Sequence, residues 1–216
     1  MGLAGLVAVV GVAVPGALLG GGSAFASWTP KPEPLTAAAA TEAAATCRAA
    51  LDVPDLGEQV VDAERRGEWT YVLIVGSQAE GACLMPDDRV GQQHPAGHEV
   101  GGFFGSYDSD PGQPPTPARD GLVETESMEG SVPSSGTWPF GHDEAWFRWV
   151  RGYVGRDVTG VTVHPPGGPD VEASVAHGRF AAWWPSGRPS SGNLGVMGAW
   201  TYTVTLADGG TQLATG

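Results

Sequence analysis

Lysine is nearly missing from these 216 residues: Lys31 is the single one, and Arg supplies the rest of the 11 basic groups. Against 24 Asp and Glu the formal net charge is −13. A nucleic-acid surface needs a basic stripe to displace phosphate counterions, and the chain has none. Charged residues of both signs reach only 16 %, while Gly contributes 34 positions and Pro 18. That scarcity of charge and abundance of breakers excludes a coiled coil, a helical bundle and a disordered polyampholyte. Familiar catalytic signatures are missing too: no G-x-S-x-G elbow, no Gly-rich phosphate loop with Lys, no H-E-x-x-H and no C-x-x-C. What remains is the composition of a turn-rich β protein of one sizeable domain or two small ones.

The first charged residue is Lys31, and residues 3–19 carry no strongly polar side chain. An apolar run followed by Ala24-Phe25-Ala26 fits a secretory signal with a small-x-small site, cut before Ser27. The same run approaches the roughly 20 residues that span a bilayer, so a retained membrane anchor is the second reading. Residues 1–27 are therefore expected to be a signal peptide or an anchor, which places the rest of the chain outside the cytoplasm, secreted or membrane-anchored. The usual positive cytoplasmic flank is missing, which points to a late start codon or a cytoplasmic part upstream of Met1.

Residues 28–46 read as a stalk and the start of a helix. Thr29-Pro30-Lys31-Pro32-Glu33-Pro34 alternates Pro with polar residues, the pattern of an extended spacer. Thr36 then opens an Ala-dominated stretch to Leu51, and Thr is a good N-cap before residues of the highest helix propensity. Residues 47–216 would form the extracytoplasmic domain. Its two cysteines, Cys47 and Cys83, are expected to pair in an oxidising compartment; the alternative is two separate buried thiols.

The domain reads as antiparallel β. Residues 60–66, 69–75 and 82–85 suggest a three-stranded meander, the middle run apolar on both faces as a central strand must be. Later, Val161 and Val163 alternate with Thr162, and Val171, Ala173 and Val175 alternate with Glu172 and Ser174. His177-Gly178 turns into the 180–184 run, and Trp200, Tyr202, Val204 and Leu206 share one face. Asp208-Gly209-Gly210 turns that strand back into residues 211–215. Short strands punctuated by Gly, Pro and Asp indicate a sandwich-like body. Residues 86–143 look like long acidic loops around short strands at 100–107 and 122–128, with nine acidic residues and the single Arg119 between positions 99 and 144.

Candidate sites are few. His94 and His98 have i, i+4 spacing, but Pro95 and Gly97 make the segment a loop, so no zinc is expected. Asp108-x-Asp110 opens like a calcium loop, yet Pro111 interrupts it and Arg119 stands where a bidentate Glu is needed. No cofactor is expected. Eight Trp are many for this length, and Trp146, Trp149, Trp183 and Trp184 are the possible ligand platform. Adjacent Trp183 and Trp184 point to opposite faces of a strand, so at most one is expected in the core.

Three segments carry a resemblance: Val158-Thr159-Gly160-Val161-Thr162-Val163, residues 171–175, and Gly178-Arg179-Phe180-Ala181-Ala182-Trp183-Trp184-Pro185. Over residues 144–206 the chain resembles uncharacterised actinobacterial extracytoplasmic proteins with a membrane-tethered β domain. Some of these look like the outer parts of anti-sigma-factor-type single-pass regulators. The resemblance implies a tethered β module and brings no catalytic or ligand residues.

The functional expectation is a non-catalytic binding or sensing module at the cell surface, taking a protein or an envelope ligand, with the membrane contacted through residues 3–19 if these are not cleaved. The alternative is a secreted hydrolase acting on envelope glycans. Its carboxylates would come from Asp143, Glu144, Glu124 or Glu126, with Trp183 or Trp184 as the sugar platform.

Overall fold

In the computed structural model the described residues are 23–53, 57, 59–77, 79–92, 103–133, 144–188 and 200–214. A 3-10 turn at Ser23–Phe25 leads to the short strand β1 (Glu33–Pro34) and the helix α1 (Ala37–Leu51). Thr36 caps the helix as expected, its hydroxyl oxygen accepting from the Ala39 N–H at 3.3 Å. Asp52 closes it in the left-handed conformation, φ 54°. The expected stalk is not free. Glu33 and Pro34 pair with Arg65 and Glu64, and the Pro30 carbonyl accepts from the Arg66 guanidinium and the Glu172 N–H. Proline lacks a donor and so suits a sheet edge as well as a spacer, which is why its alternation misled.

The first sheet is the expected meander, extended at both ends: β1, β2 (Gln59–Arg66), β3 (Trp69–Val75), β4 (Glu80–Pro86) and β5 (Phe104–Asp108), all antiparallel and in that order. Both faces of β3 are covered. Val72 and Ile74 pack with Ala43, Ala44, Cys47, Cys83 and Met85 beneath α1. Trp69, Tyr71 and Leu73 turn the other way into the main core. The small Ala side chains let the helix approach the sheet closely, and the disulfide Cys47–Cys83 bolts it to β4 with Cα atoms 5.7 Å apart.

Two four-stranded antiparallel sheets complete the described residues, which are mainly β with one α-helix. The second has the order β10 (Ser174–Ala176), β11 (Arg179–Ser186), β7 (Glu144–Val154), β6 (Leu122–Pro133). The third has the order β13 (Thr211–Ala214), β12 (Thr201–Leu206), β8 (Val158–His164), β9 (Val171–Glu172). The strands β9 and β10 are nearly continuous, so one stretch of chain passes from the third sheet to the second at Ala173. His177 and Gly178, φ 53° and 75°, make the tight turn between β10 and β11.

The second sheet lies between the other two. Trp149 and Trp183 pair across β7 and β11 and face the first sheet, where Tyr71 meets Trp149 edge-on at 5.8 Å and Trp69 meets Trp183 at 6.5 Å. On the opposite face Trp184 meets Trp200 at 5.4 Å and Phe180 meets Tyr202 at 5.7 Å. Both adjacent tryptophans are therefore core residues, contrary to expectation, because a sheet with two covered faces has no outside. Within the stretch expected to be mostly loop, β6 runs twelve residues, well past position 128.

Candidate functional site

Trp149 and Trp183, at 1 % and 0 % exposure, are sealed between sheets and present no surface to a ligand. Trp146 is half-buried opposite Ser186 in the β7–β11 register. Of the four expected platform residues, Trp184 lines a cleft.

That cleft holds about 220 Å³. One wall is the β8–β9 loop, Pro165-Pro166-Gly167-Gly168-Pro169; the other is the end of β11, Trp184-Pro185-Ser186-Gly187, with Trp28 and Arg148 completing it. Its apolar surface is indole and pyrrolidine. Its side-chain polar groups are the Trp28 indole N–H, the Ser186 hydroxyl and the Arg148 guanidinium, each able to donate. The first two, on residues lining the cleft, lack a hydrogen-bond partner among the described residues, which is uncommon for buried polar atoms. Arg148 is held by Glu129, Nε to Oε1 3.1 Å, and faces Trp184 across the strand pair. A small ligand with acceptor oxygens and an apolar body matches that lining. Among the described residues that line it there is no histidine or carboxylate.

Trp28 was not singled out by sequence reasoning, because it sits in what read as a signal–stalk junction. The 165–169 loop carries no sequence pattern beyond its Pro and Gly content. The signal that marks both is their distance in sequence from Trp184, which only the tertiary fold closes.

Of the four carboxylates weighed for hydrolysis, Glu124 and Glu126 are engaged in the packing of the sheets. The β6 irregularity between Glu124 and Glu126 sends them to opposite faces of the second sheet. Glu124 accepts from the Tyr202 hydroxyl and the Trp200 indole. Glu126 accepts from Trp149 at 3.0 Å and pairs with Arg151 at 2.5 Å. Two carboxylates separated by a sheet cannot flank one glycosidic bond. Glu144 is exposed at the start of β7, and Asp143 lies outside the described residues.

Two buried ionic clusters hold the sheets together. In the first, Glu80 of β4 takes Arg151 and Arg179 of the second sheet, each at 2.7 Å, and Arg179 lies over the Tyr153 ring at 4.3 Å. In the second, Asp62, Glu64 and Arg66 share one face of β2. Arg66 donates to Glu64 at 2.7 Å and to the Glu172 carbonyl at 2.6 Å. The Ser174 hydroxyl donates to Glu64. Burial, and then the neighbouring Glu64, push the Asp62 carboxyl up to about 7. Burial also pushes the Tyr71 and Tyr202 phenols above the usual range, Tyr202 with added help from its hydrogen bond to Glu124.

On the outer face of the third sheet, His164 lies between Asp170, 2.7 Å from Nδ1, and Thr203, 2.8 Å from Nε2. The order resembles a hydrolytic relay, but Thr203 lies within a paired strand whose register continues on both sides. The trio instead ties the two ends of the β8–β9 loop, and so fixes one wall of the cleft. Among the described residues no group of three or more His, Cys, Asp or Glu is arranged to hold a metal ion. Asp108 accepts from the Asp110 N–H in an exposed turn; His94 and His98 lie outside the described residues. Comparison of the chain with protein-family models, with curated proteins and with solved structures finds no match.

Proposed function

We propose that this protein is a non-catalytic extracytoplasmic binding or sensing module, sandwich-like in architecture and tethered at the cell surface, whose ligand enters the cleft between the β8–β9 loop and the end of β11. The observation that carries the reading is the cleft lining: aromatic and proline walls with unpartnered donors on Trp28 and Ser186. The disulfide supports placement in an oxidising compartment, and the apolar stretch of residues 3–19 supports export. The −13 charge disfavours lying flat on anionic lipid and suits an envelope or protein ligand.

The test is retention. Purified protein is incubated with cell-wall and polysaccharide preparations, and both bound protein and released fragments are measured. Retention that falls at least tenfold in Arg148→Ala, with the melting curve kept within a few degrees, is the expected result. Release of fragments, abolished by changing Glu144, would establish the hydrolase alternative and overturn this reading.

A further inference from the structure

The residues before the expected cleavage point belong to the core. Phe25 is 3 % exposed and packs against Trp69, Trp183 and Phe147, with ring centroids 4.9, 5.7 and 6.1 Å away. The Ala24 carbonyl accepts from the Trp69 indole at 2.8 Å, and the Phe25 carbonyl accepts from the Trp28 N–H at 3.1 Å. Ser27 is fitted as closely: its hydroxyl accepts from the Glu68 N–H at 3.0 Å. A Cβ on Gly67, φ 65°, would stand 2.1 Å from the Ser27 carbonyl oxygen. Hydrolysis of the Ala26–Ser27 bond would remove Phe25 and put a charged amine beside the hole it leaves.

We infer that the chain is not cut before Ser27, and that Ala24 and Phe25 remain part of the working protein as a plug joining the apolar N-terminal segment directly to the fold. This rests on the tethered reading above and sharpens it. The expected spacer is folded onto the domain, so no free stalk stands between anchor and fold. From Leu19 to Trp28 is nine residues, at most about 32 Å of extended chain. The cleft that Trp28 lines is then held close to the membrane, within reach of a membrane-proximal ligand.

The full chain, expressed in an exporting Gram-positive host, is fractionated and its N-terminus sequenced. An N-terminus at or upstream of Ala24 is the expected result; the bulk of the exported protein beginning at Ser27 would overturn the inference. Recovery in the cytosol with free thiols would count against export, and the inference is then decided by a second measurement. Phe25→Ala in the detergent-purified full chain is expected to lower Tm by about 5–10 °C, while Ala26→Ser at the neighbouring exposed position leaves it unchanged. A Phe25→Ala protein melting like the wild type would overturn the inference by itself.

Discussion

Asp62 brings its carboxyl into the seam between β2 and β10, beside the Glu64–Arg66 pair. Its folded pKa of about 7 lies above the unfolded value of 3.8. Between these values the folded chain holds a proton that the unfolded chain has lost, so stability falls as pH rises from about 4 through about 7. Asp62→Asn is expected to flatten that slope and to raise stability at pH 8 by roughly 2–4 kcal/mol, with little effect at pH 4. Urea unfolding at the two pH values decides it; an unchanged slope in the variant contradicts the assignment. Arg151 makes the opposite case. It is buried between Glu80 and Glu126, and Arg151→Met strands two carboxylates against one remaining cation, Arg179. A loss of about 3–5 kcal/mol is expected in the same assay; a loss below about 1 kcal/mol would mean the cluster is solvated.

At the scale of elements, the disulfide closes a loop with a sequence separation of 36, for which chain entropy gives about 4 kcal/mol. Replacing Cys47 and Cys83 by Ser should cost about that much and free α1 first, read as early amide exchange along residues 37–51 before the sheets open. Simultaneous exchange of helix and sheets would contradict this. The helix, its cap, the first meander and both late hairpins were legible in the sequence because each rests on local chemistry: Thr36 before alanines, Gly67, His177-Gly178 and Asp208-Gly209 between apolar runs. The strand β7 was not. Its alternation is blurred because Trp149 and Arg151 face one sheet while Val150 and Gly152 face another, and the run carries arginines whose partners lie on β4 and β6. The cleft was half legible: Trp184 was singled out, whereas Trp28 and the 165–169 loop gain meaning only from packing against it.

At the scale of the whole molecule, the interface between the first and second sheets carries both aromatic packing and charge. Arg66 alone joins β2, the Pro30 segment and β9. Such cross-sheet bonding predicts a single cooperative thermal transition, with calorimetric and van't Hoff enthalpies equal; two resolved transitions would divide the chain into separate units. Among the described residues no helix is long and apolar enough to cross a membrane, so the proposed tether is the N-terminal apolar stretch. The account places the domain outside the membrane, and the single lysine offers a direct test. Lys31 is largely exposed and lies 3.8 Å from Glu172. Intact cells are treated with a membrane-impermeant amine reagent, and the protein recovered from the membrane fraction is mapped by mass spectrometry. Label on Lys31 before lysis, with Cys47 and Cys83 joined, is the predicted result; label that appears only after lysis, on a chain with free thiols, would contradict it.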